Sequence, residues 1–169
     1  MSTQKNHQIL LASRPVGEPT DDNFKYVESS IPSPGDNEVL LRAVYLSLDP
    51  YMRGRMSDAK SYAEPVAIGD VMEGGVVAQV VESKHPNLAA GDYVHAYTGW
   101  QEFAVANGNG LRKVDASLAP LDSALGVLGM PGLTAYIGLM KIGKPKAGET
   151  VVVSAASGAV GSVVGQIAK

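Results

Sequence analysis

Near the end of the chain, Ala156, Gly158 and Gly161 fall into an A-x-G-x-x-G spacing. That spacing suits the cradling of a pyrophosphate. A residue without Cβ at 158 lets backbone N–H groups reach the anion, and the start of the following helix stabilises negative charge. A glycine at 161 lets helix and strand pack closely. The same small residues also fit an ordinary tight turn in an α/β protein, so context decides. Residues 149–156 read as a strand, because the run Val151-Val152-Val153 has no polar alternation, as in a parallel strand buried on both faces. Residues 162–169 read as a helix, with Val160, Val163, Val164, Ile167 and Ala168 on one apolar face. The residue that reads the ribose in such units lies about 20 residues beyond the glycines, past Lys169.

A second concentration of reactive side chains is Asp49-Pro50-Tyr51-Met52-Arg53-Gly54-Arg55. A phenol such as Tyr51 offers an O–H donor without ionising at neutral pH, and its ring packs on flat conjugated groups. On spacing alone, a partly buried structural tyrosine on a helical turn is the simpler reading. Asp49 reads as a helix cap with Pro50 at the first position, and Glu73 as a strand residue near the cleft, rather than the two as an acid/base pair. Arg53 and Arg55 have the charge to steer an anion, but solvated or carboxylate-paired arginines are the simpler reading.

Composition excludes several other chemistries. The 169 residues contain no cysteine, which removes disulfides, thiolate metal ligands and a thiol nucleophile. The three histidines, His7, His85 and His95, have no metal-site spacing. The net charge is -3 without a basic run, which argues against nucleic acid and anionic membrane as partners. The polar N-terminus lacks an apolar signal core, and no stretch approaches the ~20 apolar residues that cross a bilayer. A cytoplasmic setting is expected.

The elements that must position these residues are mostly short strands. Alternation and turn chemistry predict strands over 8–13, 24–31, 38–48, 74–82, 93–97, 100–106 and 111–114. Phe24, Tyr26 and Val27 are expected to face inward, and Gly74-Gly75 marks a bulge or close backbone approach. Residues 57–65 read as a polar loop. Strands at this spacing, joined by Gly/Pro turns, argue for a small barrel or sandwich. Beyond Pro120 the pattern becomes helical, over 121–128 and 133–140, with Leu133, Tyr136, Ile137 and Met140 on one face. The domain boundary is expected near 125, giving 1–125 and 126–169.

The order of barrel, two helices and β-α unit resembles the medium-chain dehydrogenase/reductase superfamily. Three motifs carry the resemblance further: Leu46-Ser47-Leu48-Asp49-Pro50-Tyr51-Met52-Arg53, Gly129-Met130-Pro131-Gly132-Leu133-Thr134-Ala135-Tyr136 and Ala155-Ala156-Ser157-Gly158-Ala159-Val160-Gly161. Together they are similar to the zinc-independent double-bond reductase branch of prostaglandin reductases, plant alkenal reductases and the bacterial curcumin-reductase type, most of all the last. The resemblance implies a mainly β fold with some α: a GroES-like, partly open barrel, helices, and the first β-α unit of a Rossmann-type domain. Members run to about twice this length, so the chain corresponds to their N-terminal part. Zinc-dependent relatives carry a cysteine where this chain has Leu46, and a histidine in the region of Gly69 to Gly74. The implied reaction is hydride transfer from NADPH to the C=C bond of an α,β-unsaturated ketone or aldehyde. Tyr51 would be the catalytic donor, and Tyr62 would line the substrate mouth. Pro50, Met130 and Thr134 would lie at the nicotinamide end, and Gly158, Ala159, Val160 and Gly161 under the pyrophosphate. Alternatives are a quinone reductase of the same superfamily, or an inert barrel module. In the latter, either the chain is disordered after about residue 145 or the uncovered 151–155 strand edge pairs in a homodimer.

Overall fold

The computed structural model describes residues 4–169; Met1 to Thr3, part of the polar N-terminus, lie outside the described residues. The chain forms two compact units, Met1–Asp115 and Ala116–Lys169, so the division falls earlier than the expected 125.

The first unit is built from seven strands: β1 (Asn6–Leu11), β2 (Phe24–Ser29), β3 (Glu38–Leu46), β4 (Val76–Ser83), β5 (Tyr93–Ala96), β6 (Phe103–Asn107) and β7 (Arg112–Lys113). A five-stranded antiparallel sheet runs β6-β3-β4-β5-β7, and β1 pairs with β2 in a smaller sheet. The two sheets are stitched together through β1, whose far edge bonds irregular chain. Ile9 N–H donates to the Trp100 carbonyl and Leu11 N–H to the Asp70 carbonyl, both at 2.9 Å. The result is the partly open barrel expected. Register shifts between Leu40/Leu41 and Ala43/Tyr45 bend β3. They leave its end, Tyr45 and Leu46, exposed where plain alternation would bury Tyr45. Tyr26 likewise does not face inward; it is exposed and stacks on His7.

Two apolar clusters fill this unit. Val39, Leu41, Val76, Ala78, Val80, Val94 and Ala96 line the large sheet with Leu88. Leu11, Met52, Met56, Val66 and Met72 form the second, with Phe24, Tyr51 and Trp100 against it. The second cluster positions the candidate site. It anchors the short helix α1 (Tyr51–Arg55) through Met52 and the C-capping Met56, each side chain worth about 1.5–3 kcal/mol in burial. Gly74 makes this possible, since a Cβ there would press on Leu46, Met52 and Trp100 at 3.0–3.3 Å.

The second unit departs most from expectation. Residues 121–128 form only a 3-10 turn, Leu121–Ala124, followed by further turns. Helix α2 (Met130–Tyr136) continues as a π-helix, Ile137–Gly143, ended by Lys144 in the left-handed region. The predicted apolar face of Leu133, Tyr136, Ile137 and Met140 is exposed, while Pro131, Gly132, Ala135 and Leu139 are buried. Small residues win here because α2 approaches neighbouring backbone closely: a Cβ on Gly132 would collide with the Val127 carbonyl. α2 packs against α3 (Gly161–Ala168), in which Gly161 and Val163 are buried.

The expected strand at 149–156 is absent: 151–153 carry no strand pairing and Val152 is 87% exposed. A parallel strand is stable only when neighbours satisfy its N–H and C=O groups, and no described strand lies beside this one. Of the two expected outcomes for this region, disorder or pairing of an uncovered strand edge, the second lacks its edge, because the strand does not form. Among the described residues no helix is long and apolar enough to cross a membrane.

Candidate functional site

In the first unit the site is assembled on α1 and the loop that follows it. Asp49 starts the helix with its backbone, not its carboxylate. Its carbonyl accepts from Met52 N–H at 3.1 Å, and Pro50 occupies the cap position with no side-chain cap. The expected Asp49 side-chain cap is thus corrected, and Pro50 stands one position earlier than expected, directly before Tyr51. Proline suits this place because its fixed φ matches the helix.

Tyr51 is half-buried and packs on the Met-rich cluster. Burial first, then the nearby charges of Glu73 and Asp49 and the neighbouring Tyr97, push its phenol above the usual tyrosine range, against the opposing effect of Arg55. A phenol is an O–H donor at neutral pH without any such shift, and the shift acts in the same direction.

Arg55 sits four residues on, over Tyr51's helical turn. It is only 7% exposed, and its Nε donates to Glu73 Oε1 at 2.7 Å. Its guanidinium carbon lies 4.7 Å from the Tyr62 ring centroid and 6.0 Å from that of Tyr51. Structure thus brings together Tyr51, Tyr62, Arg55 and Glu73, of which sequence reasoning selected only the tyrosines for the site. Arg55 is the carboxylate-paired arginine of the simpler reading. Arg53 is engaged elsewhere, donating to the carbonyls of Gly17 at 2.8 Å and Pro15 at 3.2 Å. Neither arginine is a free anion-steering charge. Tyr97, near Tyr51 in space, was missed; its place in a strand-to-turn step gives no local signal.

In the second unit, Met130 and Thr134 lie one turn apart on α2, both with exposed surface. The Thr134 hydroxyl donates back to the Met130 carbonyl at 2.8 Å. The glycine turn is present without its strand. Gly158 N–H donates to the Ala155 carbonyl at 3.0 Å, and a Cβ on Gly161 would collide with that same carbonyl. The closeness that demands glycine at 161 is therefore to the turn itself. Among the described residues the N–H groups of Ala159, Val160 and Gly161 find no backbone acceptor, while Ser162 N–H already bonds Gly158. Three open donors at the start of α3 fit one end of a pyrophosphate. Among the described residues no group of three His, Cys, Asp or Glu is placed to hold a metal.

A family model described as the N-terminal domain of oxidoreductase matches residues 7–114. The chain belongs to this oxidoreductase family. The NADPH-dependent curcumin reductase of Escherichia coli is 55% identical over 166 residues, 98% of this chain and 48% of its own length. Prostaglandin reductase 1 of Rattus norvegicus is 51% identical over 156 residues, 90% of this chain and 45% of its own. Among solved structures, CurA in complex with NADPH from Vibrio vulnificus superposes with a TM-score of 0.89 at 59% identity, covering 95% of this chain and 48% of that one. The chain spans about half the length of the curated relatives it matches. The resemblance to medium-chain dehydrogenase/reductases and their GroES-like N-terminal fold is borne out. The first unit of the chain carries Tyr51 and Tyr62, and the unit that follows carries the glycine turn.

Proposed function

We propose that this chain supplies the substrate-side donor and the opening of the cofactor site of a zinc-independent, NADPH-dependent reductase of α,β-unsaturated ketones and aldehydes. The observation that carries it is Tyr51: a phenol half-buried at the start of α1 against the methionine-rich cluster, with the Arg55 guanidinium carbon 6.0 Å from its ring centroid. The names of the relatives support the substrate class and the cofactor.

When bound, NADPH supplies the hydride that adds to the β-carbon. Tyr51 donates a hydrogen bond to the carbonyl oxygen, where negative charge develops, and stabilises it without giving up its proton. A proton taken up from solvent water at the α-carbon then completes the saturated product. The Tyr62 ring provides a wall for a flat conjugated substrate. By the family resemblance, Pro50 in the first unit and, separately, Met130 and Thr134 on α2 in the second would be residues of the nicotinamide end. The turn Gly158-Ala159-Val160-Gly161 would hold the pyrophosphate, with the N–H groups that find no backbone acceptor as its donors. Zinc independence is supported by the absence of any cysteine and by Leu46 at the cysteine position of zinc-dependent relatives. A cytoplasmic setting accords with this thiol-free composition. A homodimer is supported by the exposed apolar side chains Leu133, Tyr136 and Ile137.

A second reading is favoured by one observation. Because 151–153 form no strand, the 169-residue chain alone lacks half of the cofactor cradle. We therefore expect it to bind NADPH weakly and to be inactive by itself. The test is a chimera in which residues 1–169 replace the matching half of the Escherichia coli relative. It should reduce an enone with NADPH, and Tyr51→Phe should lower kcat by about 10²-fold. Isothermal titration of NADPH into the isolated chain, with its native mass, tests the second reading and the dimer. Tight stoichiometric binding would reject the second reading. Quinone reduction by the chimera without enone reduction would reject the first.

A further inference from the structure

Arg55 is charged, buried and outside the chemistry proposed above. Three attachments fix it. Glu73 Oε1 holds its Nε at 2.7 Å, its guanidinium stacks on Tyr62 at 4.7 Å, and its backbone carbonyl accepts from Val66 N–H at 2.9 Å. The last bond closes the 57–65 loop, on which Tyr62 sits. The near end of that loop is anchored as well, because Arg14 Nη1 donates to the Met56 carbonyl at 2.9 Å. Tyr62 is otherwise 84% exposed, and among the described residues the Arg55 guanidinium is the only group found stacked on its ring. Tyr51 stands 6.0 Å from the same cation.

The geometry points to Arg55, clamped by Glu73, as a positioning residue that fixes the Tyr62 ring relative to Tyr51 and so sets the slot for a flat conjugated substrate. This rests on the reading of the two tyrosines as substrate-facing. The chemistry of the side chain explains the choice. A guanidinium is planar, so it stacks face-on to a ring while its edge binds a carboxylate. An ammonium does one or the other. Glu73 keeps the plane from rotating, and the burial of Arg55 itself limits the other positions its guanidinium can take. A loop tyrosine held this way loses few contacts to solvent exchange, and it needs no aromatic neighbour.

The test uses the 169-residue chain labelled with 3-fluorotyrosine, with the fluorine resonances of Tyr51 and Tyr62 assigned from Tyr51→Phe and Tyr62→Phe. In Arg55→Lys, the conservative change that keeps a cation beside Glu73, the Tyr62 resonance should move toward that of free tyrosine. In Arg55→Met it should move as far or further, and the Tyr51 titration should shift upward because the cation that opposes the rise is gone. In Glu73→Ala the Tyr62 resonance should also move, but the Tyr51 titration should shift downward. Opposite shifts of Tyr51 separate positioning from loss of fold, which would draw both titrations down toward the ordinary value. An unmoved Tyr62 resonance in Arg55→Lys and Arg55→Met overturns the proposal, as does a common downward shift of Tyr51. In the chimera, Arg55→Lys should raise KM several-fold for a flat diaryl enone and leave KM for a small enal unchanged; equal changes overturn the slot assignment. The fluorine shifts need neither NADPH nor an enone. An inactive parent chimera therefore counts against the proposed function alone, and the ring-positioning result stands or falls on the fluorine shifts.

Discussion

Replacing Asn6 with alanine should cost the first unit more than any other single polar change. Asn6 is 2% exposed at the start of β1. Its Oδ1 accepts from the Phe103 N–H and its Nδ2 donates to the Phe103 carbonyl, each at 2.8 Å. One side chain thus supplies both hydrogen bonds that a neighbouring strand would have given β6. Asn6→Ala orphans both backbone groups in a buried setting, at about 1–3 kcal/mol each, so about 4 kcal/mol in total. With a urea slope of about 1.5 kcal/mol per molar, the midpoint should fall by roughly 2–3 M. Trp100 is the sole tryptophan, lies in this unit and stacks on Phe24 at 5.6 Å, so its emission during a urea titration follows this unit alone. Asn6→Asp provides the control. It keeps the acceptor for the Phe103 N–H but faces the Phe103 carbonyl with a second acceptor, and protonation restores a donor. Its deficit relative to the parent should therefore narrow as the pH is lowered. A midpoint loss below about 0.5 M for Asn6→Ala, with an unchanged slope, would refute the reasoning.

Other expectations concern pH and packing. The Lys113 ammonium at 2.7 Å and then the Ala89 N–H at 2.8 Å hold the Asp92 carboxyl below the usual carboxylate range. Its contribution is thus present above the unfolded-state pKa and lost as pH falls through the folded one. Asp92→Asn should be less stable than the parent at neutral pH, by no more than about 1 kcal/mol for so exposed a pair, and equal to it in strong acid by urea midpoints. Burial, then the Arg112 charge, holds His95 below the ordinary histidine value. The unfolded chain therefore binds the proton more readily, and stability is lost as pH drops below about 6.5. His95→Gln should flatten the fall in melting temperature between neutral pH and about 5. Gly132→Ala should destabilise the second unit by about 1–3 kcal/mol, because the added Cβ meets the Val127 carbonyl. Faster amide exchange in α2, with an unchanged Trp100 emission midpoint, would be its signature.

What the sequence by itself determined is local. β-branched alternation and Gly/Pro turns marked the strands of the first unit to within a few residues, because a strand's two faces and its turns are written in consecutive residues. Asp49-Pro50 marked the start of α1, since proline's fixed φ needs no partner. Gly161 was legible as a close approach, and the missing cysteines as missing thiol chemistry. Tertiary structure alone decided everything that needs a distant partner. Asn6 reads as a polar residue of a strand end until Phe103 is placed beside it. Glu73 reads as a strand residue near the cleft and Arg55 as a solvated or carboxylate-paired arginine, and only the fold shows that they pair with each other beside Tyr62. The valines at 151–153 have every local mark of a buried strand and form none, because β-structure is a property of pairs of segments. Ala135 and Leu139 are buried on α2 and its extension where Leu133 and Tyr136 carry the stronger apolar pattern. There, close backbone approach, and not hydrophobicity, selects the face that packs.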